Sequence, residues 1–185
     1  MKKTAAGHTG VAANLILFQA GWFACVLGAA QGRPWIGAVM AAAIVGWHVW
    51  RAAQPQQELT LIVSVMILGA LWDSLLVMLG WISYSSGTLI PGAAPYWIGA
   101  LWALFATSLN LSMRWLKQRL LWAALLGAIS GPLSYWAAAR LGAAHFVEPR
   151  YIVPALAIGW ALIMPALMLL SRWYDGIDAP RGSPA

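Results

Sequence analysis

The sequence predicts an all-α, polytopic membrane protein, a compact bundle of six transmembrane helices. Of its 185 residues, 62% are hydrophobic and only 9% are charged, against about 25% charged in soluble domains. The apolar residues fall in several long runs, and about 20 such residues cross a hydrocarbon core as a helix. The basic residues gather at the ends of those runs. Topology accounts for them there, so the net charge of +6 implies no nucleic-acid partner.

The runs occupy about 12–31, 35–50, 59–82, 96–113, 119–139 and 151–171, forming one domain over 12–171. Joints such as "QGRP" and "RWLKQR" are short, which makes successive helices antiparallel neighbours. Residues 1–11 and 172–185 are tails, the second polar, rich in Gly and Pro, and expected to be disordered. Lys2, Lys3, Arg51, Arg114, Lys117, Arg119, Arg172 and Arg181 fall on one side, against Arg33, Arg140 and Arg150 on the other. Both termini are therefore expected inside. A cleaved signal peptide is the rival reading of the first run, but that run exceeds the usual apolar length of such peptides. The single cysteine, Cys25, excludes an intrachain disulfide and a Cys-based metal site. An inverted three-plus-three repeat finds no support, because Asp73 has no counterpart in the second half.

Small residues at helical spacing mark the faces that pack in lipid. Asn14, Gly21, Cys25 and Gly28 line up on the first span, and Gly99, Ala103, Ala106 and Asn110 on the fourth. Gly127, Gly131, Ser134 and Ala138 do so on the fifth, and Gly69, Asp73, Gly80 and Tyr84 on the third. Asp73 is thereby directed to the interior, about eight residues or roughly 12 Å below the outer surface. An intramembrane carboxylate is a functional candidate. It is read as an acid/base group, a proton carrier or a cation ligand. The structural alternatives are an ion pair with Arg140 or Arg33, or a hydrogen bond to Tyr84.

Tyr135, Arg140, His145, Glu148 and Arg150 share that outer half, so a polar pocket opening outward is expected around Asp73. Arg140 or Arg150 would hold an anionic headgroup and Tyr135 would donate a hydrogen bond. His145 and Glu148 stand three apart, and would share a face and could move protons if that segment is helical. An inner set of Asn14, His48 and Asn110 is assigned to interhelical hydrogen bonding, with Asn14 and Asn110 as binding candidates under a transport reading. Trp35, Trp81, Trp97, Trp47, Trp50, Trp115, Trp122 and Trp173 fit an interfacial belt. Trp22, Trp72, Trp102, Trp136 and Trp160 lie deeper and could line a cavity for an apolar ligand. No phosphate-binding loop, nucleophile elbow or zinc-protease helix is present, and neither metal nor cofactor is expected.

The order "NLILFQAGWFACVLGAA", "LWDSLLVMLGW", "APYWIGALWALFATSLNLSMRWL", "GAISGPLSYWAAARLGA" resembles a family of small bacterial inner-membrane proteins grouped as a domain of unknown function. The likeness runs over about residues 14–171. Its pattern falls here on Asn14, Gln19, Trp22, Asp73, Pro95, Tyr96, Trp97, Gly131, Pro132 and Tyr135. The resemblance implies an inner-membrane location and, since relatives look like neighbours of fatty-acyl-modifying enzymes, a lipid-linked role. The expected function is binding or modifying a lipid or other apolar molecule, with membrane lipids as partners. The alternatives are a proton- or cation-coupled transporter, in which Asn14 and Asn110 join the Asp73 cavity, and a non-catalytic scaffold subunit with no cavity.

Overall fold

The computed structural model describes residues 8–177. Six α-helices carry the fold: α1 (His8–Ala30), α2 (Pro34–Arg51), α3 (Pro55–Met78), α4 (Tyr96–Leu109), α5 (Leu120–Arg140) and α6 (Pro149–Trp173). Four of them, Gly10–Ala30 within α1, then α3, α5 and α6, are long and apolar enough to cross a membrane. The other two are shorter: α2 has 18 residues and α4 has 14. The fourth run was expected to be helical to residue 113, but α4 stops at Leu109 and a 3₁₀ turn follows at Arg114–Leu116. Asn110 is the C-cap of α4, and its side chain binds partners at that end of the protein, described below.

The helix limits follow local chemistry. Pro34, Pro55 and Pro149 open α2, α3 and α6, where the missing N–H costs nothing and the ring presets the helical φ. Helices α1, α3 and α5 all close on a glycine in the left-handed region, Gly32 (φ 70°), Gly80 (φ 69°) and Gly142 (φ 88°). In each case the next residue's N–H returns to the carbonyl five residues back: Arg33 to Gly28, Trp81 to Leu76 and Ala143 to Ala138. These are Schellman caps, which satisfy carbonyls that the helix end would otherwise strand. Gly80 was expected on the inward stripe of α3. It is exposed instead and serves as that cap.

Two short strands join the loops beyond these caps. β1 (Ile82–Tyr84) runs antiparallel to β2 (Ala144–Phe146), with Ser83 opposite His145. Three residues each are too short for an alternating pattern to mark them in the sequence. The pairing satisfies loop backbone groups that have no helix to bond to, and the neighbouring Val147 N–H and Ser85 N–H extend it to Trp81 O and Ala143 O.

α1 packs along α2, α3 along α4, and α5 along α6, while α4 also lies against α1 and α2. α4 is the central helix, buried continuously from Trp102 to Leu109. Glycines set the close approaches. A Cβ on Gly37 would stand 2.2 Å from Cys25 Cα, so α2 meets α1 backbone to backbone. A Cβ on Gly127 would stand 2.3 Å from Trp160 O, which brings α5 onto α6.

Candidate functional site

Asp73 sits one turn after Gly69 on α3, and the two positions together hold one indole. The Trp102 ring lies over Gly69, where a Cβ would come within 2.0 Å of Cδ2, and its Nε1 donates to Asp73 Oδ2 at 2.7 Å. Two tyrosine hydroxyls complete the cage. Tyr84 donates to Oδ1 at 2.5 Å, and Tyr135 of α5 lies 2.9 and 3.0 Å from Oδ1 and Oδ2. Tyr84 was expected on the helical stripe of α3; it reaches the carboxylate from β1, after the chain has turned at Gly80. Neither Arg140 nor Arg33 pairs with Asp73 among the described residues, so ring donors replace the cation. Asp73 is 0% exposed, which closes it to solvent. Gly69→Ala is expected to displace the indole and cost about 1–3 kcal/mol, measurable as a thermal shift in detergent.

Beside this cage lies a cleft of about 680 Å³ between α1 and α5. Its floor is aromatic: Trp102 and Trp160 stack at 4.8 Å and 9°, and Phe105 meets both edge-on. Tyr84, Trp102 and Tyr135 line it, but Asp73 does not. The expected polar pocket around Asp73 is thus an apolar cleft with the carboxylate behind its wall. The reason is geometric, since each ring turns its polar atom inward to Asp73 and leaves its apolar surface to the cleft. Trp22 Nε1 reaches across from α1 to donate to Ser134 Oγ of α5 at 3.1 Å. Arg140 lies at the end near the strands, its guanidinium 5.9 Å over the Trp136 ring. No carboxylate pairs with it among the described residues.

The other predicted residues are dispersed. Trp72 packs on α6, where a Cβ on Gly159 would stand 2.3 Å from its Cζ2, and it does not line the cleft. Of the five deeper tryptophans, Trp22, Trp102, Trp136 and Trp160 do. Trp97 also lines it and is buried, with Nε1 donating to Ser86 O at 3.0 Å. His145 is exposed on β2 and Glu148 precedes α6, so the two share no helical face. Glu148 pairs with Arg150 at 3.4 Å on the surface. Glu148→Gln is expected to change stability by less than about 1 kcal/mol, as a thermal melt would show.

Asn14 and Asn110 lie toward the other end of the protein and do not line the cleft. Asn14 donates to Thr107 Oγ1 at 3.1 Å and accepts from Ser112 at 2.8 Å. Asn110 joins a network that sequence reasoning missed, centred on Glu58. The Glu58 carboxylate meets His48 Nε2 at 2.7 Å, Asn110 Nδ2 at 2.5 Å and the Gly176 N–H at 2.9 Å, with no exposure. Lys117 continues it, donating to Asn110 Oδ1 at 2.5 Å, Ser171 O at 2.8 Å and Asp175 Oδ2 at 2.8 Å. Arg114 also pairs with Asp175. Burial pulls the Lys117 ammonium below the usual lysine range, and Asp175 works against that shift. The expected disordered tail is therefore anchored through Tyr174–Ile177, where Gly176 and Ile177 are buried; its remainder lies outside the described residues.

The sequence profile of a family described as protein of unknown function (DUF2878) matches residues 11–166. The chain belongs to the DUF2878 family. Neither the curated proteins nor the solved structures return a match. The DUF2878 match takes in the Asp73 cage and every residue lining the cleft, whereas Ser171, Asp175 and Gly176 of the Glu58 network lie beyond it. Among the described residues no three His, Cys, Asp or Glu side chains converge as a metal site would need. Chemically, the arrangement offers an apolar trough with a hydroxyl at Ser134 and a cation at Arg140.

Proposed function

We propose that this DUF2878 protein is a six-span protein of the bacterial inner membrane, both termini inside, that binds a lipid or other apolar molecule in the α1–α5 cleft. The observation that carries this reading is the fixed aromatic wall: three rings locked by one buried carboxylate beside a volume typical of ligand sites, about 300–1,000 Å³. Asp73 acts as the anchor of that wall and does no chemistry on the ligand. The short α4 fits a spanning bundle because it is enclosed by other helices, and irregular backbone at membrane depth is tolerated where protein covers it. A lipid-linked role also agrees with the resemblance noted from the sequence.

Protein purified in a mild detergent should retain an apolar ligand in native mass spectrometry. Ser130→Trp, which fills the cleft from an exposed position on α5, should lose it. Equal retention by the two proteins would reject the cleft as the site. Fusions of a reporter active only outside the cytoplasm test the topology, and activity at either terminus contradicts it. Coupled transport is the second reading, favoured by the buried His48–Glu58 pair at the other end. It requires proton-dependent uptake in proteoliposomes that Glu58→Gln abolishes.

A further inference from the structure

We infer that the cleft takes one acyl chain of an anionic membrane lipid, with the headgroup on Arg140 and an ester carbonyl accepting the Ser134 hydroxyl proton. This deepens the reading above and rests on it. Charge sets the headgroup. Arg140 is the one charged residue among the described lining residues, and it stands at an end of the cleft. Its guanidinium lies 5.9 Å over the Trp136 ring and has no carboxylate partner among the described residues. A zwitterionic lipid already neutralises its phosphate with its own ammonium, whereas an anionic headgroup leaves the phosphate charge free to answer the guanidinium.

The distribution of polar atoms sets the rest. Ser134 accepts from Trp22 and so keeps its own O–H to donate. It lies six residues from Arg140 along α5, roughly 9 Å at the helical rise, which separates a headgroup contact from a contact deeper in the same molecule. Beyond it the walls are Phe18, Phe105, Trp160 and Met113, which suit hydrocarbon. The volume of about 680 Å³ is that of a single drug-sized ligand, so one chain enters and the other stays in the bilayer. The route is sideways: Phe23, Leu133 and Trp136 line the cleft and are exposed, giving it an apolar mouth between α1 and α5.

The test loads delipidated full-length protein with dioleoyl phosphatidylglycerol, dioleoyl phosphatidylcholine or free oleate, and counts bound molecules by native mass spectrometry. Wild-type protein should retain phosphatidylglycerol about five- to tenfold better than phosphatidylcholine, and Arg140→Gln should erase that preference. Arg33→Gln removes an exposed cation that does not line the cleft, and should keep the preference. Equal retention of the two lipids by wild type, or an equal effect of Arg33→Gln, overturns the assignment. Preferred retention of oleate overturns it in favour of a free acid. Ser130→Trp separates the two levels. If it loses all lipid while Arg140→Gln changes nothing, the headgroup inference alone fails; if it retains lipid as wild type does, the cleft reading fails too.

Discussion

Asp73→Ala is expected to destabilise the protein by about 3–5 kcal/mol and to abolish ligand retention. Removing the carboxylate leaves the Tyr84, Tyr135 and Trp102 donors buried without an acceptor, at about 1–3 kcal/mol for each such group before the site relaxes. The informative variant is Asp73→Asn, which keeps the volume and one acceptor oxygen. Its amide oxygen can serve both tyrosines, but its NH₂ then faces the Trp102 N–H, donor against donor. Trp102→Phe removes that conflict. The double variant should therefore melt higher than the sum of the single effects predicts, a coupling of about 0.5–3 kcal/mol in a double-mutant cycle. Strict additivity would mean that Asp73 does not hold the Trp102 ring.

Glu58→Ala should be as damaging, at about 3–5 kcal/mol, because it strips the anion from a buried network and leaves Lys117 with less compensation. Cutting the chain after Trp173 attacks the same network from the other side. It removes Asp175, the Tyr174 carbonyl and the Gly176 N–H, which bind Lys117, Asn110 and Glu58. Combining Glu58→Ala with the truncation should cost much less than the two added together. Thermal melts of the four proteins measure this, and a truncated protein as stable as wild type would show that the tail contributes nothing.

The inward turn of Asp73 was legible in the sequence because a small-residue stripe at helical spacing fixes a face, and Gly69 with Asp73 obeys it. Its partners were only partly legible. Tyr84 was a candidate, yet the path that delivers it runs through a cap at Gly80 and a three-residue strand, features that period-counting along one helix cannot register. Glu58 was overlooked because it stands in a joint reading as a polar loop, "RAAQPQQE", where charge is ordinary. Its rarity was the available signal: it is one of only five acidic residues in the chain, and it falls in the first turn of a long apolar helix. The anchoring of Tyr174–Ile177 depends on Lys117 and Asn110 arriving from another helix pair, and no local pattern in the tail encodes that.

Pro132 lies within α5 immediately after Gly131, and its neighbours Gly131 and Leu133 line the cleft. A proline there has no N–H for the carbonyl four residues earlier, so the backbone ladder of α5 is interrupted at that level. The same helix packs along its length on α6, and reaches α1 and α3 through the Trp22–Ser134 and Tyr135–Asp73 hydrogen bonds. The carbonyl of Ala128, four residues before Pro132, is thus left without its helical partner, on the same helix that carries the cleft residues Ser130 and Ser134.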